Sequence, residues 1–112
     1  MSDTLPNADS ARVERSKLTD YLLSLDHRDG KTKATFFTRF GFSASQIDVL
    51  QFALLRHAAT QPVIEMKHSE HGVKYVLECS VESPDQRNPC IRSVWIVDAG
   101  QTAPRLVTAF PN

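Results

Sequence analysis

The apolar positions of this chain change their period once, near Pro62. Before it they recur every three or four residues, as on one face of a helix; after it they recur every two, as on one face of a strand. Leu18, Tyr21, Leu22 and Leu25 predict a helix over Lys17–Leu25, which Asp26–Gly30 breaks. Ala34, Phe37 and Phe40 predict a second over Lys31–Phe40, and Gly41 suits the left-handed position just past its end. Ser43 or Ser45 can cap a third, Gln46 stands where a capping box needs it, and Ile47, Leu50, Leu54 and His57 carry the apolar stripe.

Past Pro62, "VIEMKHSEHGVKYVLECSVE" reads as a hairpin with strands near Val63–Lys67 and Val73–Val81. Val73, Tyr75, Leu77, Cys79 and Val81 share one face; Lys74, Val76, Glu78 and Ser80 share the other. "SPDQRNP" is a loop, "CIRSVWIVDAG" is apolar on both faces as a central strand is, and "APRLVTAFPN" is the last strand. The order predicts an α+β fold, with three N-terminal helices packed on one face of a four-stranded antiparallel sheet. Residues 1–16 read as a flexible polar lead-in and 17–112 as a single domain.

Composition narrows the function. The 112 residues can build one core without metal or disulfide staples. Thirteen basic and thirteen acidic residues give zero net charge, so no overall field draws the chain to DNA or an anionic membrane, and phosphate binding needs a local cluster. No apolar run approaches the roughly 20 residues of a membrane span, and "MSDTLPNADSARVERS" lacks a signal-peptide core. The expected location is cytoplasmic. Cys79 and Cys90 lack zinc spacing and read as reduced, buried thiols, with a cross-strand bridge as the alternative.

The chemistry concentrates in "DHRDGKTK", residues 26–33. As a charge-rich segment with a glycine it suits a solvated interhelical turn. Yet Gly30 permits a sharp turn into a helix start, where free N–H groups favour an anion. Lys31 and Lys33 lie in the first turn of that helix, where acids are the ordinary choice, a mismatch that points to a bound anion. His27 is the nearby group able to exchange a proton near neutral pH. His57 reads as a satisfied, half-buried histidine on the third helix, and His68 and His71 as exposed turn residues without a third metal ligand. Arg92 sits among apolar neighbours and needs a partner, either a carboxylate such as Glu78 or a ligand phosphate. Thr108 fits a strand as a β-branched residue, and its hydroxyl also suits a phosphate oxygen. Lys74 is a further candidate substrate-binding residue. Phosphate loops, dinucleotide fingerprints, nucleophile elbows and zinc-finger spacings are absent from the sequence.

Taken together, "KLTDYLLSLDHRDGKTKATFFTRFGF", "VLQFALLRHA", the hairpin and "PRLVTAFP" resemble a small bacterial domain family of unknown function over roughly residues 17–111. Its layout is similar to the toxin-type ribonucleases of the barnase–EndoU–colicin–RelE superfamily. His27, Gly30, Lys33 and Ala34 match the opening motif, Arg92 and Trp95 the strand motif, and Thr108 and Pro111 the closing one. Phe110 stands where tyrosine is common, so no phenol chemistry is expected there. The resemblance implies a metal-independent endoribonuclease without cofactor, with His27, Lys33, Arg92 and Thr108 catalytic and Gly30, Lys31 and Lys74 holding RNA. It also implies an antitoxin or immunity protein, acidic where it docks near Arg28, Lys31, Lys33 and Arg39. The alternative is a non-catalytic binding or adaptor module, in which Arg92 simply pairs with Glu78.

Overall fold

A computed structural model describes residues 4–23 and 31–112 of the chain. Strands β1 (Val63–Ser69), β2 (Gly72–Ser80), β3 (Cys90–Asp98) and β4 (Arg105–Pro111) form one antiparallel sheet in the order β1-β2-β3-β4. Alternation along the strands assigns its two faces. Leu77, Ser93 and Ala109 lie side by side across β2, β3 and β4 and are buried, as are Ile91 and Trp95 on the same face. The opposite face carries Lys74, Val76 and Glu78 from β2, then Arg92, Val94 and Ile96 from β3, and Thr108 and Phe110 from β4. Register shifts leave Ile64 extra in β1 and Val107 extra in β4, and such bulges sharpen the local twist.

The helical half departs from the expectation of three N-terminal helices. Lys31–Arg39 forms helix α2, and a 3₁₀ turn at Ala44–Gln46 leads into α3, Ile47–Thr60, making the one long helical run among the described residues. The predicted helix over Lys17–Leu25 does not form; in its described part a single α-turn, α1 (Arg15–Lys17), passes into a π-turn over Leu18–Leu22. There the Leu23 N–H donates to the Leu18 carbonyl at 2.8 Å, five residues back. Leu18, Leu22 and Leu23 are all buried. In an α-helix Leu18 and Leu23 would stand about 140° apart around the axis, whereas the wider π-turn brings all three to one side. Ser43 caps the third element by accepting from the Ser45 N–H at 3.1 Å rather than through a box with Gln46.

Leu5 and Val13, from the segment expected to be a flexible lead-in, lie in the core. Arg12 runs parallel to β4, donating its N–H to the Pro104 carbonyl and accepting from the Leu106 N–H, both at 2.9 Å. The centre of the core is Trp95, Phe37, Leu50, Leu54, Leu77 and Ile91, all fully buried. Each aliphatic or phenyl side chain there contributes about 1.5–3 kcal/mol. The reading of Cys79 and Cys90 as reduced thiols is overturned: they form a disulfide between β2 and β3, with Cα atoms 4.3 Å apart. Pairing of Ser80 with Cys90 sets Cys79 one residue off its neighbour, close enough for the bridge. Among the described residues no helix is long and apolar enough to cross a membrane.

Candidate functional site

The face of the sheet turned away from the core gathers most of the predicted site that the structure describes. Across β2, β3 and β4 its side chains form three rows: Lys74, Ile96 and Arg105; Val76, Val94 and Thr108; Glu78, Arg92 and Phe110. Arg92 and Thr108 are diagonal neighbours, about 7–8 Å apart at that register. Arg92 donates from Nε to Glu78 Oε2 at 2.8 Å, the carboxylate partner expected for an arginine among apolar residues. Arg105 grips Asp98 with two bonds, at 2.7 and 3.1 Å, and these hold the Asp98 carboxyl below its usual range. Between the two arginines lies Thr108, whose Oγ1 is buried without a hydrogen-bond partner. That hydroxyl is unusual, because buried polar atoms are nearly always paired.

The predicted site residues do not all fall on this face. Lys74, Arg92 and Thr108 share it, with Lys74 exposed. Lys33 belongs to α2 and is half-buried there, and Lys31 opens that helix. His27, Gly30 and Arg28 lie outside the described residues. Beside α2, Thr32, Thr35, Phe36 and Arg39 line a groove with Pro111 of β4, with a volume of about 380 Å³.

Sequence reasoning missed one constellation on the opposite, helix-covered face. Trp95 Nε1–H donates to Ser93 Oγ at 2.8 Å. Ser93 O–H donates to His57 Nδ1 at 2.8 Å, and His57 Nε2–H donates to the Cys79 carbonyl at 3.0 Å. A carbonyl only accepts, which fixes the tautomer and leaves Nδ1 to receive the serine proton. Burial lowers the His57 pKa, against the opposing pull of the Cys79 carbonyl, so the ring is neutral. A serine on a histidine is also how a nucleophile is activated. Here His57 is 1% exposed and Ser93 0%, and every polar atom is satisfied within the chain. The pair is a structural clasp between α3 and the sheet. His57 was legible as a satisfied histidine on the apolar stripe of its helix, and the signal for its partner was Ser93, a polar residue on the apolar face of "CIRSVWIV".

These features define an α+β domain with one sheet face buried under helices and the other open, bearing paired arginines around a half-buried threonine whose hydroxyl oxygen is buried. The chain belongs to DUF6883, a domain of unknown function, whose family model matches residues 4–112. Among curated proteins none matches it. Its fold is similar to a solved chain from a contact-dependent growth inhibition toxin–immunity protein complex of Klebsiella pneumoniae 342. The TM-score is 0.70 at 16% sequence identity, covering 94% of this chain and 96% of that one.

Proposed function

We propose that the domain is a toxin-type, metal-independent endoribonuclease that meets RNA on the open face of its sheet. The observation that carries this reading is the placement of Thr108 Oγ1, buried and unpartnered, diagonally beside Arg92. Such a hydroxyl can donate to a phosphate oxygen, and a guanidinium is the side chain best shaped to hold one. Glu78 takes the Arg92 Nε–H and thereby orients the guanidinium, leaving its Nη groups for a ligand. The toxin class rests on the near full-length fold similarity to a chain of a toxin–immunity complex.

In this mechanism the ribose 2′-oxygen attacks the adjacent phosphorus as the bond to the 5′-oxygen breaks, giving a 2′,3′-cyclic phosphate and a 5′-hydroxyl. His27 takes the 2′ proton or supplies one to the leaving oxygen. Lys33 and Arg92 stabilise charge on the phosphoryl oxygens, and Thr108 holds one of them. Gly30, Lys31 and Lys74 contact the RNA backbone. An inhibitory protein, acidic where it docks, covers the basic region of Lys31, Lys33 and Arg39.

Purified protein should cleave RNA in EDTA, and induced expression should arrest growth. Arg92→Ala should lower cleavage about 10²–10³-fold, and His27→Ala about 10²–10⁴-fold. Intact RNA together with normal growth on induction refutes the reading. The satisfied Arg92–Glu78 pair then favours the second one, a binding module without chemistry.

A further inference from the structure

The two edges of the sheet are treated differently. At the start of β4 the backbone of Arg12 forms two hydrogen bonds to the outer edge. No described segment pairs with the outer edge of β1, and all but one of its residues are exposed. Ile64 and Met66 on this strand are 47% and 54% exposed, large apolar side chains left in water. An uncovered edge strand is a template for another strand.

The charges on β1 choose which one. Glu65 and Lys67 are two residues apart and so share the open face of the sheet, and neither forms an ion pair within the described chain. Lys67 moreover lies directly opposite Lys74 of β2, an unfavourable like-charge pair. We propose that β1 pairs antiparallel with β1 of a second copy of this chain, in the register that sets Met66 against Met66 of the partner subunit. Glu65 then faces Lys67 of the partner subunit, twice by symmetry, and each Lys67 gains an acid beside its own Lys74.

Competing registers do worse. Centring on Glu65 or Lys67 opposes like charges, and a slip of one residue turns every side chain to the other face. The favoured register keeps both open faces on one side and yields a continuous eight-stranded sheet, two copies of four. Because the pairing is two-fold and uses β1 of both copies, it closes at two rather than propagating.

Sedimentation and light scattering over concentrations up to about 1 mM should show a reversible monomer–dimer equilibrium. Glu65→Lys and Lys67→Glu should each weaken it at least tenfold, the double swap should restore it, and the two single variants mixed should form a heterodimer. Met66→Cys should cross-link between chains under mild oxidation, its only free thiol among the described residues because Cys79 and Cys90 are bridged. Ile64→Cys, four residues out of register with itself, should not. Circular dichroism establishes that each variant is folded. A strict monomer throughout, or a dimer indifferent to these charges and cross-linked equally by both cysteines, overturns the proposal.

Discussion

Acidification should loosen this domain through His57, by an amount that can be worked out. The ring is 1% exposed, bonded at both nitrogens, and its pKa is lowered from the ordinary 6.5 by burial. Above pH 6.5 the residue is neutral in the folded and unfolded chains, and its full contribution is present. As pH falls from 6.5 toward the lowered folded value, the unfolded chain takes up a proton that the folded chain refuses, and stability drops. Below the folded value the loss levels off. The steepest slope is about 1.4 kcal/mol per pH unit. Between pH 7.5 and 5.5 the ceiling from this one group is about 1.4 kcal/mol, reached if the folded ring takes up no proton over that interval. With a urea m-value of about 1–3 kcal/mol/M, that lowers the unfolding midpoint by about 0.5–1.4 M. Trp95, the chain's single tryptophan and fully buried within the same network, provides the fluorescence signal. His57→Gln should show a smaller fall over the same interval. Parallel losses in wild type and variant would refute the reasoning, because the proton taken up on unfolding would then bind elsewhere.

Two further outcomes follow from local geometry. Gly72 has φ of 141°, and a Cβ there would fall on the Val97 carbonyl oxygen, so Gly72→Ala should cost about 1–3 kcal/mol or more, read as a lowered Tm. Gly100→Ala, with φ of 81° and open space around it, should cost less. Reducing the Cys79–Cys90 bridge, which spans a sequence separation of 11, should destabilise by about 3 kcal/mol, seen as a lower urea midpoint in dithiothreitol.

The strands were legible because a two-residue period leaves few ways to fold: Tyr75, Leu77 and Cys79 alternate with Lys74, Val76 and Glu78 in sequence as they do in the sheet. The same alternation put Arg92 and Glu78 on one face, but only the register made them cross-strand neighbours. The first helix was misread because Leu18 and Leu22 are four apart, a spacing that α- and π-turns both accommodate; burial of Leu23 decides between them. Leu5 and Val13 were invisible for another reason: two isolated apolar residues in a polar stretch have no period. The His57–Ser93 bond joins residues 36 apart, and no local pattern encodes such a meeting. Of the candidate site, Lys74, Arg92 and Thr108 were singled out by residue type, yet the buried, unpartnered state of the Thr108 hydroxyl is a fact of packing alone.

The segment around Arg12 has a consequence for the order of events during synthesis. Its hydrogen-bond partners, Pro104 and Leu106, are among the last residues that a ribosome adds to this stretch, and Asn7 reaches still further, to the Thr102 carbonyl 95 positions away. Leu5 and Val13 emerge first and can complete their burial only after nearly all of the intervening chain has been made. Nascent intermediates therefore carry an unpaired Arg12 backbone and two unshielded apolar side chains until β4 is added. A protease or chaperone that recognises extended apolar segments would meet this region as an accessible target on the ribosome, and lose it once β4 is in place.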